Sequence, residues 1–239
     1  MGRQTNLKFV GTQANIIYYK WRGVFSMRSK PAQVQQTDAT KNSAAIFGMA
    51  TKLGAVLRRA FAALLPNAKD RDMQRRLEGG LRDLLRQYQY RDKQPGMSIT
   101  GLQNFEFNEK AGGYGVLKKS VSVFPVGNNS LDITIQSINP VQEITAPPKT
   151  VSLNLLLAAA SFDPVTGKIM DQNFTNEMIA YTDAVTEIKK ATLVLQTAQN
   201  SCILMAAALQ FNVNNNGFLE TNKLLRWLPA MVTGVWVTE

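Results

Sequence analysis

The chain has 239 residues, 45% of them apolar, which is enough for a packed core in one large domain or two small ones. It has no histidine and one cysteine, Cys202, which excludes Ser-His-Asp and Cys-His relays, histidine-containing zinc sites and any intramolecular disulfide. Its net charge of +10 is unevenly spread: residues 1–95 carry 18 Lys and Arg against 6 Asp and Glu, and residues 96–239 carry 9 against 11.

A basic N-terminal part of this kind suits phosphates, an anionic membrane surface or an acidic protein partner. The opening residues lack the apolar stretch and small-residue cleavage site of a secretory signal. The longest apolar run, VSLNLLLAAASF, is broken by Asn154 and falls well short of the roughly 20 residues a spanning helix needs.

From Leu7 to Lys30 the β-branched and aromatic residues predict strands in LKFVGT, NIIYYKW and VFSMRSK, with Arg22-Gly23 as a hairpin turn. Strand alternation places Ile17, Tyr19 and Trp21 on one face and Tyr18 and Lys20 on the other. Tyr18, Tyr19, Trp21 and Phe25 could stack bases while Lys20, Arg22 and Arg28 follow phosphates. One apolar and one basic face, however, better fits a sheet element packed on the helices or on a neighbouring subunit.

After the polar connector PAQVQQTDATKN the period changes to that of a helix. Ile46, Met49, Ala50, Leu53, Val56, Leu57, Ala60, Phe61 and Leu64 share one helical face, with Ser43 or Thr40 as N-cap and Pro66 beyond the end. A second helix is expected from about Lys69 to Tyr88, with Met73, Leu77, Leu81, Leu84 and Leu85 inward and a kink at Gly79-Gly80. The short turn Pro66-Asn67-Ala68 makes the pair an antiparallel helical hairpin. Arg58, Arg59, Arg71, Arg75, Arg76, Arg82 and Arg86 crowd this hairpin and form a candidate polyanion surface. The alternative is a solvated face partly neutralised by Asp70, Asp72, Glu78 and Asp83.

DKQPGMSIT is a turn-rich boundary, and beyond it short strands recur: NFEFNEKAGGYG, VLKKSVSVFPVGNN, SLDITIQSI, VSLNLLLAAASF, ATLVLQT, SCILMAAALQFNV and AMVTGVWVTE. EMIAYTDAVTEIKK reads as a short helix or a strand pair. The expected fold class is α+β: residues 1–95 as a basic β-hairpin and helical hairpin, residues 96–239 as an antiparallel β-sandwich of seven or eight strands, immunoglobulin-like or jelly-roll-like.

Motifs with chemistry are sparse. Asn212, Asn214 and Asn216 before Gly217 imitate a calcium loop but bring no carboxylate, so a hairpin turn is expected. Asp163 to Gly167 is turn composition, and GGYG at 112–115 lacks the strand-to-helix setting of a phosphate loop. Glu106, Asp132, Asp183 and Glu187 form no facing pair, and Cys202 lies in the apolar run SCILMAAAL as a buried thiol. No catalytic residue, metal, cofactor or small-molecule substrate is expected.

The order of GTQANIIYYKWRG, the Arg-Ser-Lys before the connector, NSAAIFGMATKLGAVLRRAFAALL and GLQNFEFN resembles a widespread family of uncharacterised proteins from Bacteroidota-type bacteria, which carries a domain of unknown function. The resemblance rests on Gly11, Tyr19, Gly23, Arg28 and Lys30, on Phe47, Gly48, Lys52, Leu53, Arg58 and Phe61, and on Gly101 to Asn108. It spans about the first 110 residues and implies the order of elements but no activity.

These readings converge on a non-enzymatic structural or assembly protein, a homo-oligomer, filament or particle subunit built by edge-strand pairing. The pairing segments are Ile16, Ile17, Tyr18, Tyr19 and Trp21, together with Val235, Trp236 and Val237 near the C-terminus. The alternative is a nucleic-acid-associated, phage-like packaging protein that uses the arginine helices. An acidic protein partner suits the same charge.

Overall fold

The computed structural model describes residues 2–4, 8–31, 36–65, 71–91, 100–111, 121–126, 130–187 and 189–238. They belong to two units, Met1–Ser43 and Ala44–Glu239.

In the first unit, strands β1 (Gly2–Arg3), β2 (Gly11–Gln13), β3 (Ile16–Trp21) and β4 (Val24–Ser29) form one antiparallel sheet in the order β1-β4-β3-β2. Trp21 pairs with Val24, which leaves Arg22-Gly23 as a two-residue turn. Both turn residues have positive φ, 47° and 83°, the pattern of a type I′ hairpin turn, whose twist matches that of its strands. Arg-Gly therefore acts here as Asn-Gly usually does. Helix α1 (Asp38–Ala60) starts earlier than expected: Thr37 accepts from the Thr40 N–H through its hydroxyl at 3.3 Å, and Asp38 stands in the first turn. The cap is thus Thr37, and Ser43 and Thr40 lie inside the helix.

In the second unit, α1 from Ala44 onward runs antiparallel to α2 (Arg71–Arg91). Phe47 meets Arg82, Gly54 lies beside Glu78 and Leu81, and Arg58 hydrogen-bonds Gln74 at 3.1 Å, an order in which one chain rises as the other falls. α2 runs without interruption through Gly79-Gly80. Gly80 serves close packing, since a Cβ there would lie 2.9 Å from the carbonyl oxygen of Gly101. Gly101 in turn sits against the backbone of Leu84.

Beneath the helices lies a five-stranded antiparallel sheet. Its centre is β7 (Thr150–Phe162) beside β10 (Cys202–Asn215), with β8 (Ile169–Ala180) outside β7 and β11 (Phe218–Thr221) and β12 (Ala230–Val237) sharing the far side of β10. Leu156, Ala158, Ala160, Leu204, Ala206 and Ala208 face the helices and join Leu53, Leu57, Phe61, Leu77 and Leu81 in one core. The alternate residues, among them Leu155, Leu157, Ile203, Met205 and Phe211, join a second core with the three-stranded sheet β5 (Val121–Val126), β6 (Ser130–Ile135) and β9 (Lys189–Val194), ordered β5-β6-β9. A strand buried on both faces reads as a continuous apolar run, which is why β7 and β10 look alike in sequence. The alanines at their centres keep the layers close.

The architecture is α+β in three layers: helix pair, five-stranded sheet, three-stranded sheet. The helical hairpin shares a core with the larger sheet. Three segments differ from expectation. NFEFNEKAGGYG gives a turn and a bridge between Glu106 and Met231, with a short 3₁₀ turn at Glu109–Ala111. Residues 169–176, outside every expected element, and the first four residues of EMIAYTDAVTEIKK, read as a short helix or a strand pair, form the long strand β8, while β11 follows the turn at 216–217. The predicted turn at 66–68, most of the 92–100 boundary and GGYG at 112–115 lie outside the described residues.

Candidate functional site

The first unit is one sheet deep. Among its described residues no apolar side chain is buried, and Trp21 is 62% exposed. Its two faces differ. The face bearing Tyr18, Phe25 and Met27 is screened by the chain preceding β2: the Phe9 ring meets Tyr18 edge-on at 5.2 Å and also lies over Gly11, while Gln4 pins Phe9 through both its N–H and its carbonyl. Lys8 and Lys20 stand over the Phe25 ring.

The opposite face carries Ile17, Tyr19, Trp21, Val24 and Arg28, with no segment of this unit described over it. The Arg28 guanidinium sits 5.8 Å from the Tyr19 ring and Arg22 5.7 Å from Trp21. Trp21 is exposed and Tyr19 half-buried, and aromatics beside arginines are the side chains that dominate binding at protein interfaces. The first 37 residues contain no Asp or Glu, so nothing acidic neutralises this surface from within its own strands.

The backbone of the predicted pairing segment is partly used. Ile16, Ile17 and Tyr18 pair with Gln13, Thr12 and Gly11, and the whole of β3 pairs with β4. β2 ends there, so among the described residues no strand pairs with Tyr19 to Trp21 on the side away from β4, which makes a notch. At the other terminus, Val235, Trp236 and Val237 pair with Leu204, Ile203 and Cys202 inside the five-stranded sheet. The Trp236 ring lies flat over Gly234, and the outer edge of β12 is bonded near its start, where Phe107 N–H donates to Ala230 and Val232 N–H to Phe105. These C-terminal residues pair on one side with β10 and are half-buried, as Tyr19 is, whereas Trp21 is exposed.

The arginines divide into two groups. Arg58 bridges the helices through Gln74, and Arg76 is bound by the Glu106 carbonyl at 2.7 Å, by the Glu109 carboxylate at 3.1 Å and by the Phe105 ring. Arg59 is exposed on α1. Arg71, Arg75, Arg82 and Arg86 lie on one side of α2, within an arc of about 60° at 100° per residue. Arg75 and Arg86 make long, exposed contacts with Asp72 at 3.8 Å and Asp83 at 3.7 Å. The Nε atoms of Arg76 and Arg82 are both buried with no hydrogen-bond partner among the described residues.

The carboxylates are dispersed and occupied. Asp132 accepts from the Thr192 hydroxyl at 2.8 Å, and the side-chain amides of Asn139 and Gln142 hold the Asp183 carboxyl below its ordinary range. No cluster of three potential metal ligands occurs among the described residues. A surface pocket of about 810 Å³ lies between the 163–168 turn, the 196–201 loop and Tyr88. Its polar groups largely serve the fold: Asp163 accepts from Val165 N–H and the Thr166 hydroxyl, both at 2.7 Å, and Tyr88 donates to the Asn200 carbonyl. The turn readings at 163–167 and 212–217 agree with the structure, the latter as a second two-residue hairpin turn with Asn216 and Gly217 at φ 52° and 90°. Cys202 is fully buried. No helix among the described residues is long and apolar enough to cross a membrane.

No protein-family model, curated protein or solved structure matches this chain.

Proposed function

We propose that the protein is a non-enzymatic assembly subunit whose N-terminal sheet docks on a second copy of the chain. The observation that carries this reading is a four-stranded sheet that buries no apolar side chain among its described residues and presents exposed Trp21 beside half-buried Tyr19 on a face that no described segment of the unit covers. A sheet becomes stable by covering one face with another layer, and isolated strands in water are marginal. A second copy supplies that layer, with Trp21 as the anchor and the notch at Tyr19 to Trp21 offering backbone groups for strand addition. The short edge strands β1 and β2 otherwise limit uncontrolled pairing.

The larger unit is the load that this element connects. Its pairing supports an immunoglobulin-like reading: β6 pairs with β9 in one sheet while their successors β7 and β10 pair in the other, as strands B and E, and C and F, do in that fold. On this reading the helix pair is an addition that covers the outer face of the larger sheet. Kinship with the uncharacterised bacterial family belongs to the same proposal and brings no activity with it.

Size-exclusion chromatography with in-line light scattering, at low and high salt, tests the reading. The full chain should run as an oligomer that persists at high salt, and a variant lacking residues 1–30 should run smaller. Trp21→Asp should weaken the assembly in the full chain. An unchanged assembly size after the deletion sinks the proposal.

A further inference from the structure

We propose that the outer side of α2 is a binding surface for the phosphodiester backbone of nucleic acid, centred on Arg82. The inference is independent of self-association through the N-terminal sheet.

Three observations carry it. The first is linear order: Arg71, Arg75, Arg82 and Arg86 follow one line of the helix over about 22 Å at 1.5 Å per residue, a charge row suited to a linear polyanion. All four are arginine, whose planar fork grips two phosphate oxygens at once where lysine offers a point charge.

The second is the state of Arg82. Its Nε is buried without a hydrogen-bond partner, and its guanidinium lies 5.8 Å from the centre of the Phe47 ring. The Nε is enclosed, but among the described residues the Arg82 Nη groups have no hydrogen-bond or ion-pair partner, which leaves them to donate to phosphate oxygens. Phe47 is 52% exposed and offers a ring on which a base next to the bound phosphate can stack.

The third concerns the competing acids. Asp72 and Asp83 are the only carboxylates paired with this row among the described residues, at 3.8 and 3.7 Å and in solvent, where such pairs contribute little and are readily exchanged. Glu78, on the side of α2 toward α1, accepts a hydrogen bond from Gln74 at 2.9 Å. Gly79, between Arg75 and Arg82, adds no side chain of its own, and the Arg82 Nη2 lies beside it.

The test is fluorescence anisotropy of a labelled single-stranded DNA of about 20 nucleotides over a salt series, with the full-length protein. Four phosphate contacts predict a slope of log K against log salt near −3, from about −0.7 per contact on a single strand. Replacing Arg71, Arg75, Arg82 and Arg86 with Gln should bring that slope close to zero and weaken binding at least tenfold at low salt. If the fourfold variant does not fold, Arg71→Gln, Arg75→Gln and Arg86→Gln together, all at exposed positions, should remove most of the slope. Full binding by this threefold variant overturns the proposal. So does a loss seen only when Lys20, Arg22 and Arg28 of the N-terminal sheet are neutralised. Displacement of the DNA by poly-glutamate at equal charge also overturns it, because the surface would then be reading an acidic protein. Light scattering on the same samples keeps this result separate from that of the assembly test.

Discussion

Adjacent glycines in α2 should respond to alanine with opposite signs. At Gly79 an added Cβ meets only the Arg82 Nη2 at 3.7 Å, an ordinary contact with the end of a flexible side chain. Gly79→Ala therefore gains the helix preference of alanine, about 0.8–1 kcal/mol. At Gly80 the same methyl group would lie 2.9 Å from the Gly101 carbonyl oxygen and within contact of Leu102. That is side chain against backbone, so no rotamer change relieves it, and overpacking of this kind costs about 3 kcal/mol at the upper end of its usual range. Subtracting the helix gain leaves Gly80→Ala less stable by about 2 kcal/mol, and the two variants about 3 kcal/mol apart. For a unit of this size 1 kcal/mol moves the melting temperature by about 2–4 °C, so Gly79→Ala should melt a few degrees above the parent and Gly80→Ala about 4–8 °C below it. Urea unfolding followed by circular dichroism should give the same order. If Gly80→Ala proves as stable as Gly79→Ala, the close approach of 100–102 to α2 is absent and the packing argument fails.

Three further outcomes follow from the structure. Partial desolvation raises the Asp163 pKa, but the Thr166 hydroxyl, the backbone N–H groups of Val165 and Thr166 and the charge of Lys168 together outweigh it and hold the carboxyl below its ordinary 3.8. A lowered folded pKa means stabilisation present above about pH 4 and lost as pH falls through the folded value, and Asp163→Asn should flatten that acid limb of the unfolding midpoint against pH. Leu53→Ala, at a fully buried position facing α2 and the larger sheet, should cost about 2–5 kcal/mol in chemical unfolding, with a value under 1 refuting its place in the core. Cys202, on β10 with no solvent exposure, should stay unreactive to a thiol reagent in the native protein and react stoichiometrically once unfolded; fast native labelling would contradict its burial.

Local chemistry is what the sequence by itself determined. The helical period from Ile46 to Leu64, the alternation of Leu131, Ile133 and Ile135, the asparagine-glycine turn at 216–217 and the missing histidines are each decided within a few residues, and each is legible there. The two faces of β3 also follow from alternation alone, which separates Tyr19 and Trp21 from Tyr18 and Lys20. Tertiary structure decided what covers those faces. β8 is hard to read in sequence because Asp171, Asn173 and Thr175 have loop-like neighbours and Glu177 begins a stretch that fits a short helix or a strand pair, until β7 pairs with the strand along its length. Gly79-Gly80 looks like a helix defect until Gly101 is placed against it, and Val235 to Val237 looks like a free strand until β10 is beside it. The seven arginines are equivalent in the sequence. Only contacts between distant segments separate Arg58 and Arg76, which bind partners within the fold, from the row on α2 that faces outward, because burial and hydrogen bonding are settled by neighbours in space.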